Sequence, residues 1–206
     1  MVDQFYRLVR PSAHIDAEFM NPFNWLRRHS PNRVNAEKLY DAIVAQARLP
    51  VFYSEFGVPD TLEGRLSMLT VHIFAVLRRL QAESGEGQAK AQEMAQELVD
   101  LFSADMDTVL REMGVSDLKV PKRVRDICAK THGVINALEE AYGAEKDSFR
   151  KALAELLPMP EEQAEAASGA LSDYLHKVTV GLAEQHFTDL RDGNVQFPEV
   201  SDVEKS

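Results

Sequence analysis

The sequence predicts an all-α fold, a single-domain bundle of about six or seven helices. Three observations lead there. In several long stretches apolar residues recur every three or four positions, the spacing of one helix face. Prolines fall between those stretches, where helices stop or start. No segment alternates apolar and polar residues as a half-buried strand would, and there is no repeat or low-complexity tract.

The totals agree. The 206 residues are 45% hydrophobic, enough for one domain with a sizeable core. The net charge is −10, which argues against extensive nucleic-acid binding, because phosphate contacts need a positive field. The charge is uneven: residues 1–50 carry seven Lys/Arg against five Asp/Glu, and residues 51–206 sixteen against twenty-eight. A single cysteine, Cys128, excludes an intrachain disulfide and fits a reducing compartment. The start of the chain lacks the apolar segment of a secretory signal. The longest nearly apolar run, 66–77, falls short of the roughly 20 residues of a membrane span. The chain is therefore expected to be soluble or peripheral.

Residues 1–34 read as an aromatic and basic segment. Phe5, Tyr6, Leu8 and Val9 precede Pro11; Phe19, Met20, Phe23, Trp25 and Leu26 precede Arg27 and Arg28. This segment either folds back on the body or anchors at a membrane interface. The helical domain is expected over 35–190. Leu39, Ile43 and Ala47 give a helix from about Asn35 to Gln46, stopped by Pro50. An irregular turn, LPVFYSEFGVPD, then gathers Phe52, Tyr53 and Phe56 around Gly57, too many aromatics for an ordinary connection. They must bury or meet a partner.

Asp60, with Glu63 three residues on, is expected to cap the second helix. Leu62, Leu66, Leu69, Ile73, Val76, Leu77 and Leu80 form its wide apolar face, and Met68, Val71 and Phe74 make it apolar nearly all round, as a central helix would be. Arg78 and Arg79 suit its C-terminal end. A third helix is expected over Gln88 to Met113, acidic outside and ended by Gly114. A fourth runs from Pro121 to Tyr142, with Lys122, Arg123 and Arg125 crowding the end where the helix dipole disfavours cations. A fifth covers Lys146 to Leu157, and a sixth Pro160 to about Leu190. Residues 191–206 are polar and expected to fray.

Little in the chain suggests catalysis. Asp173 and His176 form one Glu-x-x-His-like pair where a di-metal bundle needs two. Cys128 and His132 share a helix face without an orienting group, so a core thiol is the better reading. His72, on the most apolar helix, reads as an interior histidine. No catalytic residue, metal ligand or cofactor site is assigned.

Two blocks resemble the ubiquinol–cytochrome c chaperone family: LYDAIVAQARLPVFYSEFGVPDTLEGRLSMLTVHIFAVLRRL, ending at Leu80, and FSADMDTVLREMGVSDLKVPKRV, from Phe102 to Val124. The resemblance extends from Asn35 to about Tyr142 and weakens toward Leu190. It implies a non-enzymatic assembly factor of the cytochrome bc1 complex that holds newly made cytochrome b. In mitochondria such proteins work with a small partner chaperone near the ribosome exit. Without a transit peptide the chain looks like a bacterial member, cytoplasmic or peripheral at the inner membrane. The resemblance and the exposed apolar surface such a client requires single out Tyr53, Phe56, Val58 and Pro59, Arg65 and His72, Asp105, Arg111, Met113 and Gly114, with Lys122 and Arg123 on the rim. The alternatives are a membrane-peripheral helical adaptor and a metal-binding bundle enzyme.

Overall fold

Residue periodicity builds the helices of a computed structural model that describes residues 31–200. The aromatic patch read over residues 1–30 and the last six residues lie outside the described residues. The helices are α1 (Pro31–Ala47), α2 (Val51–Ser54), α3 (Leu62–Gln81), α4 (Gln88–Glu112), α5 (Val120–Tyr142), α6 (Lys146–Leu156), α7 (Glu161–Glu184) and α8 (Phe187–Arg191). The described residues include no strand, so the fold is all-α, as the sequence predicts.

The central helix is α3, which packs against α1, α4, α5 and α7. This explains its pattern: every residue from Ser67 to Leu77 is buried. Its polar side chains use nearby carbonyls. Thr70 donates to Leu66 (2.8 Å), and the Ser67 hydroxyl lies 3.0 Å from the carbonyls of Glu63 and Leu156. Buried polar groups are tolerated only when so paired.

Several boundaries differ from the sequence reading. α1 begins at Pro31, not Asn35, because its first turn is tied to α4 through Asn32 to Glu93 (3.0 Å) and Arg33 to Glu97 (2.9 Å). Thr61, not Asp60, caps α3: its hydroxyl accepts from the Gly64 amide (3.1 Å), while Asp60 pairs with Arg65 (2.6 Å). The expected sixth helix breaks at Gln185 and His186, which are extended. Arg79 reaches over from α3 and donates to the carbonyls of Leu182 and Gln185, both at 3.0 Å, satisfying groups that a helix end leaves open.

The expectation of a frayed polar tail from residue 191 is corrected as far as residue 200. Gln185 and Gln196 exchange two hydrogen bonds (2.7 and 3.0 Å), Phe197 packs edge-on to His72, and Val200 is buried. Three apolar residues, Val195, Phe197 and Val200, spaced along a polar sequence give too weak a periodic signal to be read as packed.

Candidate functional site

The helices alternate in direction, and this brings separate stretches of sequence to one end. Tyr40 on α1 donates to Asp105 on α4 (2.9 Å), and Arg33 meets Glu97, so α1 and α4 run the same way. Seven residues beyond that pair, each chain reaches its end, near Ala47 and Glu112. α3 and α7 run together in the opposite sense: Ser67 meets Leu156 just before α7, His72 meets Tyr174, and Arg79 meets Leu182. α5 runs with them, since Arg78 pairs with Glu139. One end of the bundle therefore gathers the aromatic turn (50–61), the α4–α5 corner (113–119) and the α6–α7 connection (157–160).

The aromatic turn divides into an inner and an outer layer. Phe52, Phe56 and Val58 are buried and form the floor. Phe52 sits edge-on to Phe56, His72 and Tyr174, with centroids 5.5, 5.4 and 5.0 Å apart. Such edge-to-face pairs add to simple area burial. On the outer side of the turn, Arg48, Pro50, Tyr53, Ser54, Asp60 and Arg65 line an open cleft of about 420 Å³. The Tyr53 hydroxyl donates to the Ala47 carbonyl (2.8 Å), and burial pushes its pKa up. Asp60 is held below the usual carboxylate range by its hydrogen bond from Arg65, and Arg65 is raised in turn by Asp60. Arg48 is exposed on the cleft rim with no ion pair to any described residue.

Gly64 sets the height of the turn over α3. A Cβ there would lie 2.0 Å from the Pro59 carbonyl oxygen, a backbone atom that cannot swing away. Gly64→Ala is therefore expected to lose about 2–3 kcal/mol and displace the Val58–Asp60 strand of the turn. Urea unfolding followed by circular dichroism measures this; a loss below about half a kcal/mol would contradict the close approach.

The second part of the end is the α4–α5 corner. Gly114, at φ +76°, ends α4 by donating to Arg111 (2.9 Å) while Val115 donates to Leu110 (3.0 Å). These paired bonds form a Schellman stop, which favours glycine at the left-handed position. Arg111 is committed within the corner: it pairs with Asp107 (2.6 Å) and Asp117, and both raise its pKa. Met113 is 56% exposed, and Lys122 and Arg123 are exposed.

Of the residues singled out in the sequence, Tyr53, Pro59, Arg65, Arg111, Met113, Gly114, Lys122 and Arg123 reach this end. Phe56 and Val58 reach it only as buried support. His72 lies inside the bundle, fully buried, and Asp105 holds α1 to α4 partway along its length. Sequence reading passed over Arg48, Pro50, Leu62 (48% exposed) and Leu118 (93% exposed). Leu118 carried a usable signal, a lone leucine in the polar turn VSDLK; Arg48 carried none beyond following an apolar stripe.

No three His, Cys, Asp or Glu residues among those described are placed to hold a metal ion. His176 lies beside Tyr142, with ring centroids 6.4 Å apart. Cys128 is half-buried and its thiol is pushed up by burial, which makes it a poor nucleophile. No described helix is long and apolar enough to cross a membrane.

Among the described residues every buried side-chain polar atom is satisfied, and aromatic, basic and exposed apolar side chains stand at one end of an all-α helical bundle. The comparisons give that class a family. The model for ubiquinol–cytochrome c chaperones matches residues 54–197, and the chain belongs to this family of chaperones for ubiquinol–cytochrome c reductase (bc1) assembly. The crystal structure of the Cbp3 homolog from Brucella abortus is similar, with 32% identity and a TM-score of 0.73 over 86% of this chain and 96% of that one. No curated protein matches the chain. The family match begins at residue 54, inside the first of the two blocks that carry the resemblance, and runs past the second to residue 197 in the packed tail.

Proposed function

We propose that this chain holds newly made cytochrome b during bc1 assembly, without catalysis, at the end of the bundle built from the aromatic turn and the α4–α5 corner. The observation that carries the reading is the convergence at that end. A cleft of about 420 Å³ is lined by Arg48, Pro50, Tyr53, Ser54, Asp60 and Arg65, with Tyr53 its one aromatic wall. Leu62 and Met113 are exposed at the same end. A cytochrome b segment is apolar and needs temporary cover before lipid replaces it. Tyrosine, proline and arginine supply such cover with little loss of side-chain freedom at the tyrosine and proline. Phe56, Val58 and His72 serve from beneath by fixing the turn.

The test is photo-crosslinking in cells that assemble the bc1 complex, with the reactive residue at Arg48, Tyr53, Leu62 or Met113 and an exposed control at Glu165. Cytochrome b adducts are expected from the first four and not from the control. Adducts equally strong from Glu165, or none from any of the four while assembly proceeds, would refute the site.

A further inference from the structure

Leu118 has no structural reason to be where it is. It is the most exposed of the large hydrophobic residues described, at 93%, in a corner that is otherwise well packed. Val115 joins Leu110, Val120 and Val124 in a small apolar cluster of its own. The amides of Lys119 and Val120 donate to the Ser116 carbonyl (2.7 and 3.1 Å), which leaves Asp117 and Leu118 at the tip of the turn. Arg111 holds Asp117 from the side. The leucine is thus presented on a fixed tip.

Lys119, Lys122, Arg123 and Arg125 follow it at the start of α5. All four are exposed, and none has an ion pair with a described residue. The acidic groups in the neighbourhood are Asp107, Glu112, Asp117 and Asp126, of which Asp107 and Asp117 are engaged by Arg111. On a chain of net charge −10, this is a local reversal of sign. It stands at a helix end where the dipole opposes cations, so folding alone gives no reason for it.

We propose that this corner docks on an anionic lipid surface, with Leu118 and Met113 entering the headgroup boundary and Lys119, Lys122 and Arg123 lying against the phosphates. An aliphatic side chain at the tip of a convex turn gains by entering the acyl boundary. It gains little from a solvated nucleic-acid backbone, and the corner offers no aromatic ring on which a base would stack. Cations beside the entering side chain supply the attraction to phosphate, and each is expected to strengthen binding about fivefold. This assigns to the bilayer three residues that the client reading shares, Met113, Lys122 and Arg123.

The test uses the purified full chain and vesicle flotation without cytochrome b, so its failure is separate from failure of the client reading. Wild type is expected to float with vesicles of equal parts phosphatidylcholine and phosphatidylglycerol, and not with phosphatidylcholine alone. Lys122→Gln with Arg123→Gln should lower the partition coefficient about 25-fold. Leu118→Glu should lower it about tenfold or more. All three side chains are exposed, so an unchanged thermal midpoint confirms that the variants fold. Equal flotation with both vesicle types, no flotation of wild type, or full flotation of the folded variants would each overturn the proposal. The last result would place the lipid contact elsewhere in the chain. Retention on RNA without retention on vesicles would overturn it in favour of a nucleic-acid partner.

Discussion

Lowering the pH from about 7 to about 4 is expected to remove about 3 kcal/mol of folding stability through His72 alone. The ring is fully buried, and burial depresses its pKa from 6.5 to about 4, opposed in part by the Met68 carbonyl. The geometry fixes the neutral form. A carbonyl can only accept, so Nδ1–H donates to Met68 (2.7 Å), and Nε2 accepts the Tyr174 hydroxyl proton (2.9 Å). The Tyr174 oxygen accepts in turn from Gln46 (2.9 Å). A protonated ring would turn Nε2 into a donor facing a hydroxyl that already donates to it. The rings of Phe52, Tyr174 and Phe197 also pack against it, and among the described residues no carboxylate offsets the charge.

The sign follows from these values. Above pH 6.5 both folded and unfolded chains carry neutral His72, and its contribution is fully present. Between 6.5 and about 4 the unfolded chain binds a proton that the folded chain refuses, so stability falls with pH. Urea unfolding of wild type and His72→Gln across that range isolates the effect from the titration of carboxylates. Wild type should lose about 3 kcal/mol more than the variant. Parallel profiles would show that His72 titrates normally and that the buried relay is wrong.

Phe52→Ala is expected to lose about 4 kcal/mol, near the upper range for a single core residue. Phe52 is fully buried and contacts three other rings. It also ties the turn to itself, because its carbonyl accepts from the Val58 amide (3.1 Å). Truncation leaves a cavity beneath the turn, so the turn loses its floor as well as its packing. Phe52→Leu should restore more than half of the loss. Urea unfolding with an unchanged m-value checks the prediction, and a loss under about 2 kcal/mol would mean that the turn collapses to fill the space.

These two residues show how far the chain could be read unaided. Phe52 and His72 sit in stretches whose aromatic and apolar character is plain, and the all-round apolar pattern of α3 correctly marks it as central. Gly114 and Pro121 mark the α4–α5 corner because each acts locally, one by its left-handed backbone and the other by its fixed φ. The layering of the aromatic turn was not legible. Phe56 and Val58 face inward while Tyr53 forms a wall, and a turn has no period from which to read sides.

The sequence by itself determined the long helices, their order and most of the stops between them, because hydrophobic period, proline and glycine act over a few residues; it showed neither the short α2 nor the break at Gln185. It also identified the family, through two separated blocks. Tertiary structure decided what those elements do for one another. The histidine on α3 became a neutral interior group because packing buries it completely, with Tyr174, 102 positions away, donating to its ring. Arg79, whose guanidinium takes the carbonyls of Leu182 and Gln185, ended a helix more than a hundred residues further on. Phe197 became part of the core by reaching His72. Each of these depends on which side chains meet in space, and hydrogen bonds and packing between distant segments leave no periodic trace in the sequence.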